Sequence, residues 1–309
     1  MCMDPEGKMG EEKKLMLIIN PAAGSSGYKY NFPEALLYLS TSGYIPSVYF
    51  TAARGDATRF AAEHAPEYDV IACMGGDGTL SEVISGLMQI GDPENRPPVG
   101  YFPMGTSNDV ATTLGLPKND PFAAAKKLVA GRPHRYDVGG FGDDGYFTYI
   151  AAFGAFTEVS YATPQIQKKA LGHLAYVLQG MALLPNIESY RTRVEFDDGV
   201  IEADLVYGSL SNSTSVAGIV RLSDEMVSLG DGMSELVLVK NPENILDLSA
   251  IADSLISRRY DSDKLIILHT KKAKFMFEKP VAWTRDGEAG GEHRTLELCN
   301  YKAPIKMIF

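Results

Sequence analysis

The sequence predicts an α/β domain built on a parallel sheet, followed by a mainly antiparallel β domain. Strand-like and helix-like segments alternate four times over about the first 135 residues, as βαβ units do. Beyond that point strand-like segments follow one another, and several alternate apolar with polar residues, as half-buried antiparallel strands do. The 309 residues also exceed the roughly 100–200 expected of one domain. The expected bounds are a flexible tail over 1–13, an α/β domain over 14–135 and a β domain over 136–299, with 300–309 able to return to the first domain.

Residues 15–19 are a continuous apolar run that enters Asn20-Pro21-Ala22-Ala23-Gly24-Ser25-Ser26-Gly27, a stretch dense in loop formers. That is a buried parallel strand running into a loop. Residues 32–42 carry apolar positions at helical spacing and stop before Gly43. Residues 47–51 read as a second strand, 56–65 as a helix capped by Asp56, and 69–74 as a third strand. Gly75-Gly76-Asp77-Gly78-Thr79 comes next, then a helix over about 80–89. Residues 98–102 form the fourth strand, followed by Pro103-Met104-Gly105-Thr106-Ser107-Asn108-Asp109 and a helix. In the second half, 146–152, 192–197, 201–208, 235–240, 265–270, 273–278 and 294–299 read as strands, and about 166–184 and 245–257 as helices. A sandwich is the expected arrangement. The last strand-like piece, 304–309, fits either domain.

Composition narrows the function classes. Apolar residues make up 45% and charged residues 22%, which excludes a collagen, a disordered chain and a polytopic membrane protein. No apolar run reaches the ~18 residues that cross a bilayer, and the polar, charged start does not read as a secretory signal. The net charge of −10 makes nucleic acid a poor partner. Cys2, Cys73 and Cys299 are too few and scattered for a disulfide framework or a zinc site and suit a reducing cytosol. Cys73 and Cys299 read as small buried apolar residues. His64, His134, His173, His269 and His293 form no metal-ligand spacing, and no G-x-S-x-G is present. Trp283 reads as a core residue. Lys168-Lys169, Arg258-Arg259 and Lys271-Lys272 with Lys274 are solvated faces or contacts for anionic headgroups.

The loops carry the chemistry. Three glycines in four positions, Gly75, Gly76 and Gly78, allow a ligand to approach the backbone closely. The N–H groups opening the next helix favour an anion. A carboxylate there, Asp77, can reach phosphate through Mg²⁺ or orient an attacking hydroxyl. A tight turn capped by Asp77 would carry the same residues. The loops after the first, third and fourth strands fall on one sheet edge, where open α/β sheets bind ligands. Neither G-x-x-x-x-G-K-[ST] nor an early G-x-G-x-x-G is present, so this is neither a P-loop nor a standard dinucleotide fold. Far downstream, Asp286-Gly287-Glu288 reads as a turn, or as a carboxylate pair that prepares a phosphoryl acceptor.

Together these residues resemble the diacylglycerol kinase catalytic family, in particular its soluble bacterial lipid kinases, which are related to sphingosine kinases. Asn20 to Gly24, Gly76 to Glu82, Pro103 to Asp109 and Asp286 to Glu288 stand in the family's order, and the resemblance covers about 14–309. Leu114-Gly115-Leu116-Pro117, Asp137-Val138-Gly139, Gly172-His173-Leu174-Ala175-Tyr176 and Asp231-Gly232 also fit. The resemblance implies a Rossmann-like nucleotide domain, a β-sandwich domain and a cleft between them. It places ATP on Asn20, Pro21, Ala22, Ala23 and Gly24, on Thr51, on Gly75, Gly76, Asp77, Gly78, Thr79, Leu80, Ser81 and Glu82, and on Thr106 and Asn108. It makes Glu288 the proton acceptor, with Asp77 and Asp286 supporting it or holding the Mg²⁺ of the nucleotide. It implies a second, structural Mg²⁺ on the Asp231 carboxylate and the backbone carbonyls of Ser228 and Met233. Where many relatives carry an arginine after the Asn-Asp of the third loop, this chain has Ala111-Thr112-Thr113.

The expected activity is transfer of the γ-phosphate of ATP to a lipid hydroxyl at the membrane surface. Diacylglycerol is the leading acceptor, and phosphatidic acid would be its product. Sphingoid bases, phosphatidylglycerol, monoacylglycerol and polyprenols stay open. An NAD kinase, which shares the G-G-D-G element, and a nucleotide or lipid sensor without turnover are the rivals. The expected location is the cytoplasm with transient membrane contact, and a homodimer is among the assemblies allowed.

Overall fold

In β1 (Lys13–Ile19) the five residues from Leu15 onward are buried on both faces, as a parallel strand between helices requires. The computed structural model describes residues 12–24, 32–143, 145–154, 188–212, 215–216, 220–221, 228–257 and 262–309. The first half continues with α1 (Phe32–Thr41), β2 (Tyr44–Phe50), α2 (Asp56–His64), β3 (Val70–Gly75) and α3 (Asp77–Met88). β4 (Val99–Pro103), α4 (Asp109–Thr113), α5 (Pro121–Ala130) and β5 (Pro133–Phe141) follow. Two compact units result: the residues up to Asp137 with Ala303–Phe309, and Val138–Lys302. The chain leaves the first within β5 and re-enters it near the end of the last strand.

In the first unit the strand order is β4-β3-β1-β2, with every pair parallel. Side chains of a strand alternate between faces. Leu15, Leu17, Ile19, Val70, Ala72 and Met74 join Ala35 and Leu39 of α1 and Ala124, Ala125 and Leu128 of α5 in one core. Met16, Ile18, Ile71 and Cys73 point the other way and are equally buried. α3, which packs against β3 and α2, lies outside the α1–α5 core.

Two helix starts differ from the sequence reading. α3 begins at Asp77 rather than near residue 80, because Gly76 O accepts from Thr79 N at 3.0 Å and Leu80 N at 3.1 Å. The glycine loop is therefore the last residue of β3, an N-cap and a first helical turn. Asp56 does not cap α2. Gly55 occupies the cap at φ 87°, and the Asp56 carboxylate turns back to accept from Ala52 N at 2.8 Å and Ala53 N at 2.9 Å.

The second unit holds β6 (Tyr146–Phe147), β7 (Ile150–Gly154), β8 (Tyr190–Phe196) and β9 (Gly199–Ser211), then a two-residue pair, β10 (Ser215–Val216) and β11 (Val220–Arg221). β12 (Ser234–Lys240), α6 (Ile245–Ser257), β13 (Leu265–Thr270), β14 (Lys272–Arg285) and β15 (Glu288–Ile308) complete it. The pairing is antiparallel. Long strands β9 and β14 each pair with β8 over one part of their length and with β7 over another. That arrangement gathers Phe141, Phe153, Phe275, Phe277 and Trp283 into one core, where Trp283 is 2% exposed.

Four elements depart from the sequence reading here, and one of them is β14, expected over 273–278, which runs on to Arg285. β5 begins at Pro133, in a stretch read as a boundary. The strand expected over 146–152 is split into β6 and β7, because the Asp286 carboxylate takes the N–H groups of residues 148, 149 and 150. The pieces expected at 294–299 and 304–309 are one strand, β15, with Ala303 at φ 49° where the chain changes unit. Cys73 is buried as expected, which pushes its thiol pKa up, whereas Cys299 is half-exposed. The helix expected over 166–184, the Gly172–Tyr176 motif, Ser25 to Gly27, Lys168-Lys169, Arg258-Arg259 and the tail over 1–11 lie outside the described residues.

Candidate active site

Three loops of the first unit are tied together by their own backbones. Asn20 joins the first loop to the second: its N–H donates to Met74 O at 2.9 Å and its Nδ2 donates to Thr79 Oγ1 at 3.1 Å. Its Oδ1 accepts from Ala22 N at 2.9 Å and folds Pro21-Ala22 into a turn. Gly24 sits at φ 72°, where a Cβ would collide with the Met104 carbonyl, so the first loop lies on the third. Second and third loops meet at two glycines. A Cβ on Gly105 would come within 2.6 Å of Gly76 Cα, and Met104 N donates to Gly75 O at 2.7 Å.

Asn108 closes the third loop on itself. It is 1% exposed and left-handed at φ 51°. Its Oδ1 accepts from Gly105 N at 2.8 Å and its Nδ2 donates to Gly105 O at 2.8 Å. Asparagine tolerates that backbone better than most residues, and its amide supplies both partners at once.

Asp77 opens α3 and is 8% exposed. Its Oδ2 accepts from Asp109 N at 2.9 Å and its Oδ1 from Val110 N at 3.3 Å. Burial pushes its carboxyl up to about 6, although these two bonds and the charge of Lys118 pull the other way. The Tyr101 hydroxyl lies 3.4 Å from Asp77 Oδ1 and 3.3 Å from Asn108 Oδ1.

The other expected nucleotide residues divide. Pro21, Ala22, Gly24 and Thr106 are exposed, and Thr51, Gly76, Gly78 and Ser81 are half-buried. Gly75 and Leu80 are buried, and Leu80 belongs to the interior. Glu82 faces α2: its Oε1 accepts from Gly55 N at 3.0 Å and its Oε2 from Ala57 N at 3.3 Å. It is the cap that Gly55 cannot supply, and it holds the loop after Thr51 in place. Thr51 N donates to Ile19 O at 2.9 Å.

Two residues outside the motifs enter the site. Tyr101 is an inward position of β4, and only its hydroxyl distinguishes it from core. Lys118 stands two residues after Leu116, and its Nζ donates to Ser107 O at 2.7 Å. The turn at Gly115, with φ 62°, was the available signal for a chain that doubles back on the loop.

In the second unit, Asp286 and Gly287 form the hairpin turn between β14 and β15. Asp286 is 6% exposed at φ 49°. Its Oδ2 accepts from Thr148 N at 2.7 Å, and its Oδ1 from Tyr149 N at 3.0 Å and Ile150 N at 3.2 Å. Glu288 is the first residue of β15 and is exposed, paired in register with Arg285. Ser228 and Asp231 are exposed and Met233 is half-buried. Asp231 Oδ1 accepts from Met233 N at 2.8 Å, and Met233 O accepts from Asn300 Nδ2 at 2.9 Å. Among the described residues, no three His, Cys, Asp or Glu side chains cluster as a metal site.

A family profile described as the diacylglycerol kinase catalytic domain matches residues 14–141. Diacylglycerol kinase from Bacillus subtilis is 34% identical over 282 residues, covering 90% of this chain and 91% of the relative. Diacylglycerol kinase from Staphylococcus aureus is 35% identical over 291 residues, covering 91% of this chain and 87% of the relative. The chain belongs to the diacylglycerol kinase family. It is therefore a lipid kinase by descent, and a member of this family has ATP and a lipid as its substrates. A crystal structure from Bacillus anthracis superposes with a TM-score of 0.79 at 25% identity, covering 97% of this chain and 98% of that one. A diacylglycerol kinase from the same organism gives 0.73 at 21% identity and shares the fold. Among the described residues of this family member, no helix is long and apolar enough to cross a membrane.

Proposed function

We propose that this chain phosphorylates diacylglycerol to phosphatidic acid with ATP. The observation that carries the reading is the interlock of three loops through Asn20, Gly24, Gly76, Gly105 and Asn108. Backbone exposed by small residues at C-terminal strand ends is the surface on which a polyphosphate lies. On this reading the first unit is a Rossmann-like nucleotide domain over about 14–135 with the returning 303–309, and the second is a β-sandwich that takes the lipid. Diacylglycerol is preferred among lipid alcohols because the curated relatives carry that name.

The acceptor hydroxyl oxygen attacks the γ-phosphorus, and the bond from that phosphorus to the β–γ bridging oxygen breaks. The hydroxyl proton passes to the Glu288 carboxylate, and ADP leaves. Glu288 suits a proton acceptor because it is exposed on a hairpin that Asp286 fixes through three backbone bonds. A divalent ion fits the donor set at Asp77: one buried carboxylate beside the proposed phosphate surface matches the mode in which Mg²⁺ binds one or two carboxylates and phosphate oxygens. Bound there, Mg²⁺ would neutralise charge on the triphosphate. A second Mg²⁺ at Asp231, Ser228 O and Met233 O would use oxygen donors alone, and loss of a Mg²⁺-dependent rise in Tm on Asp231→Ala tests it. The protein would work in the cytoplasm and visit the membrane surface, with a homodimer as one candidate assembly.

The test is transfer of γ-labelled phosphate with Mg²⁺ to micelles of diacylglycerol, a sphingoid base or phosphatidylglycerol, with NAD in a parallel tube. Label in diacylglycerol that disappears with Glu288→Ala supports the proposal. Label in NAD or in another lipid overturns the acceptor, and ATP binding without any transfer points to a sensor.

A further inference from the structure

A triphosphate brings several negative charges, yet the described residues of the three loops that would receive it include no lysine or arginine. Residues 20–24, 75–82 and 103–109 contribute three carboxylates instead, Asp77, Glu82 and Asp109. A site of that sign repels its own ligand unless cations reach it. Beyond the Mg²⁺ proposed at Asp77, any side-chain cation has to come from outside these residues. Arg59 is already engaged by Asp56 at 3.1 Å and Glu63 at 3.5 Å. Lys118 is differently placed. Its Nζ reaches back eleven residues to Ser107 O at 2.7 Å, on the rim of the third loop. The backbone holds it there: Asn119 N donates to Pro103 O at 2.9 Å, and Asn119 is left-handed at φ 57°. An ammonium has three donors, and the Ser107 carbonyl takes one of them. The charge of Lys118 is also felt at Asp77, whose carboxyl it draws toward the ionised form.

We propose that Lys118 is the cation that grips the terminal phosphates of ATP, with Ser107 O holding its ammonium at the loop rim. The inference rests on the nucleotide reading above and adds a binding residue that lies outside the loops. A charge-assisted bond to phosphate predicts a loss that grows with the number of phosphates. Lys118→Met keeps the length and packing of the side chain and removes the charge.

The experiment is calorimetric titration of the full chain, wild type, Lys118→Met and Lys118→Arg, with AMP, ADP and ATP, alongside the kinase KM for ATP. Lys118→Met should weaken ATP about tenfold and AMP by less than about twofold, with ADP between them. Lys118→Arg should recover most of the ATP affinity, and the gap should narrow as salt rises. Equal weakening of all three nucleotides, accompanied by a lower Tm, would make Lys118 a tether for the third loop and overturn the proposal. Unchanged ATP binding would overturn it as well. A wild-type chain that binds none of the three nucleotides would sink the nucleotide reading itself. Wild-type ATP binding with no phosphate-dependent change in Lys118→Met sinks this inference alone.

Discussion

Asp77 in the first unit and Asp286 in the second are both buried against more than one backbone N–H group, and the two have opposite consequences. Asp286 takes three N–H groups from consecutive residues, 148 to 150, and in doing so splits one strand into two. Asp77 takes two, from Asp109 and Val110, and keeps a carboxyl raised to about 6. The first is a pin. Its bonds shape the hairpin on which Glu288 is exposed. The second sits among glycines, and burial outweighs what its two backbone bonds and the charge of Lys118 give its ionised form. A buried carboxylate whose charge burial disfavours is suited to a ligand that stabilises it.

The sharpest test of that contrast is at the hairpin. Asp286→Ala strands three backbone donors, and at about 1–3 kcal/mol for each unsatisfied buried group the loss should be on the order of 4 kcal/mol. Glu288→Ala, on an exposed side chain, should change stability by less than about 0.5 kcal/mol. It should still cost about 10²–10⁴ in turnover, as loss of a general base does. Urea unfolding and label transfer on both variants read the split. Normal stability in Asp286→Ala with lost turnover would mean that Asp286 acts on substrate and is no pin.

Asp77 should behave in the opposite sense. Its folded-state carboxyl, at about 6 against an ordinary 3.8, binds a proton more tightly than in the unfolded chain. The stability that goes with this is fully present below about pH 3.8 and is lost as pH rises through about 6. Above that, the buried charge costs on the order of 3 kcal/mol. Asp77→Asn removes the charge and keeps an acceptor for Asp109 N. In EDTA the variant should be more stable than wild type at pH 7.5, with the difference vanishing near pH 4. Its turnover should fall at every pH. A variant less stable than wild type at pH 7.5 would erase the contrast, because Asp77 would then be a second pin.

The backbone contact beside Asp77 can be tested with one methyl group. In Gly105→Ala the new Cβ meets Gly76 Cα at 2.6 Å and Asn108 Oδ1 at 2.8 Å, an overpacking that costs about 2 kcal/mol. Gly91→Ala, with nothing within 4 Å of its Cβ, is the control and should be neutral. ATP affinity should fall only in the first. Equal ATP affinity in both would place the nucleotide away from the loop junction.

How much of this was legible in the sequence depends on the range of the interaction. The parallel strands announced themselves through continuous apolar runs such as residues 15–19, and the loops through glycine and asparagine at strand ends. α6 was read over its full length, 245–257. The errors came where a distant group overrode a local preference. Asp56 has the composition of a cap, but its carboxylate turns back to Ala52 and Ala53, and the start of α2 is capped by Glu82 from at least 25 residues away. Residues 146–152 have the pattern of one strand, and Asp286 broke it from more than 130 positions away. Lys118 belongs to no motif, because its place follows from a turn and a carbonyl that spacing does not reveal.

Glu82 gives the smallest and most discriminating effect. Family resemblance assigns it to ATP, whereas its carboxylate bonds Gly55 N and Ala57 N at the start of α2. Gly55 has no side chain with which to cap that helix, so an acid from α3 both satisfies the N–H groups and meets the positive end of the helix. Replacing a cap costs about 1 kcal/mol, and Glu82→Ala should lose about that much in urea unfolding. Faster hydrogen exchange at the Gly55 and Ala57 amides should accompany it. Any drop in ATP affinity should then be modest, arising through the loop after Thr51. The opposite pattern, unchanged exchange at these amides with a large loss of ATP binding, would place the carboxylate on the nucleotide and count Glu82 with Asp77 rather than with Asp286.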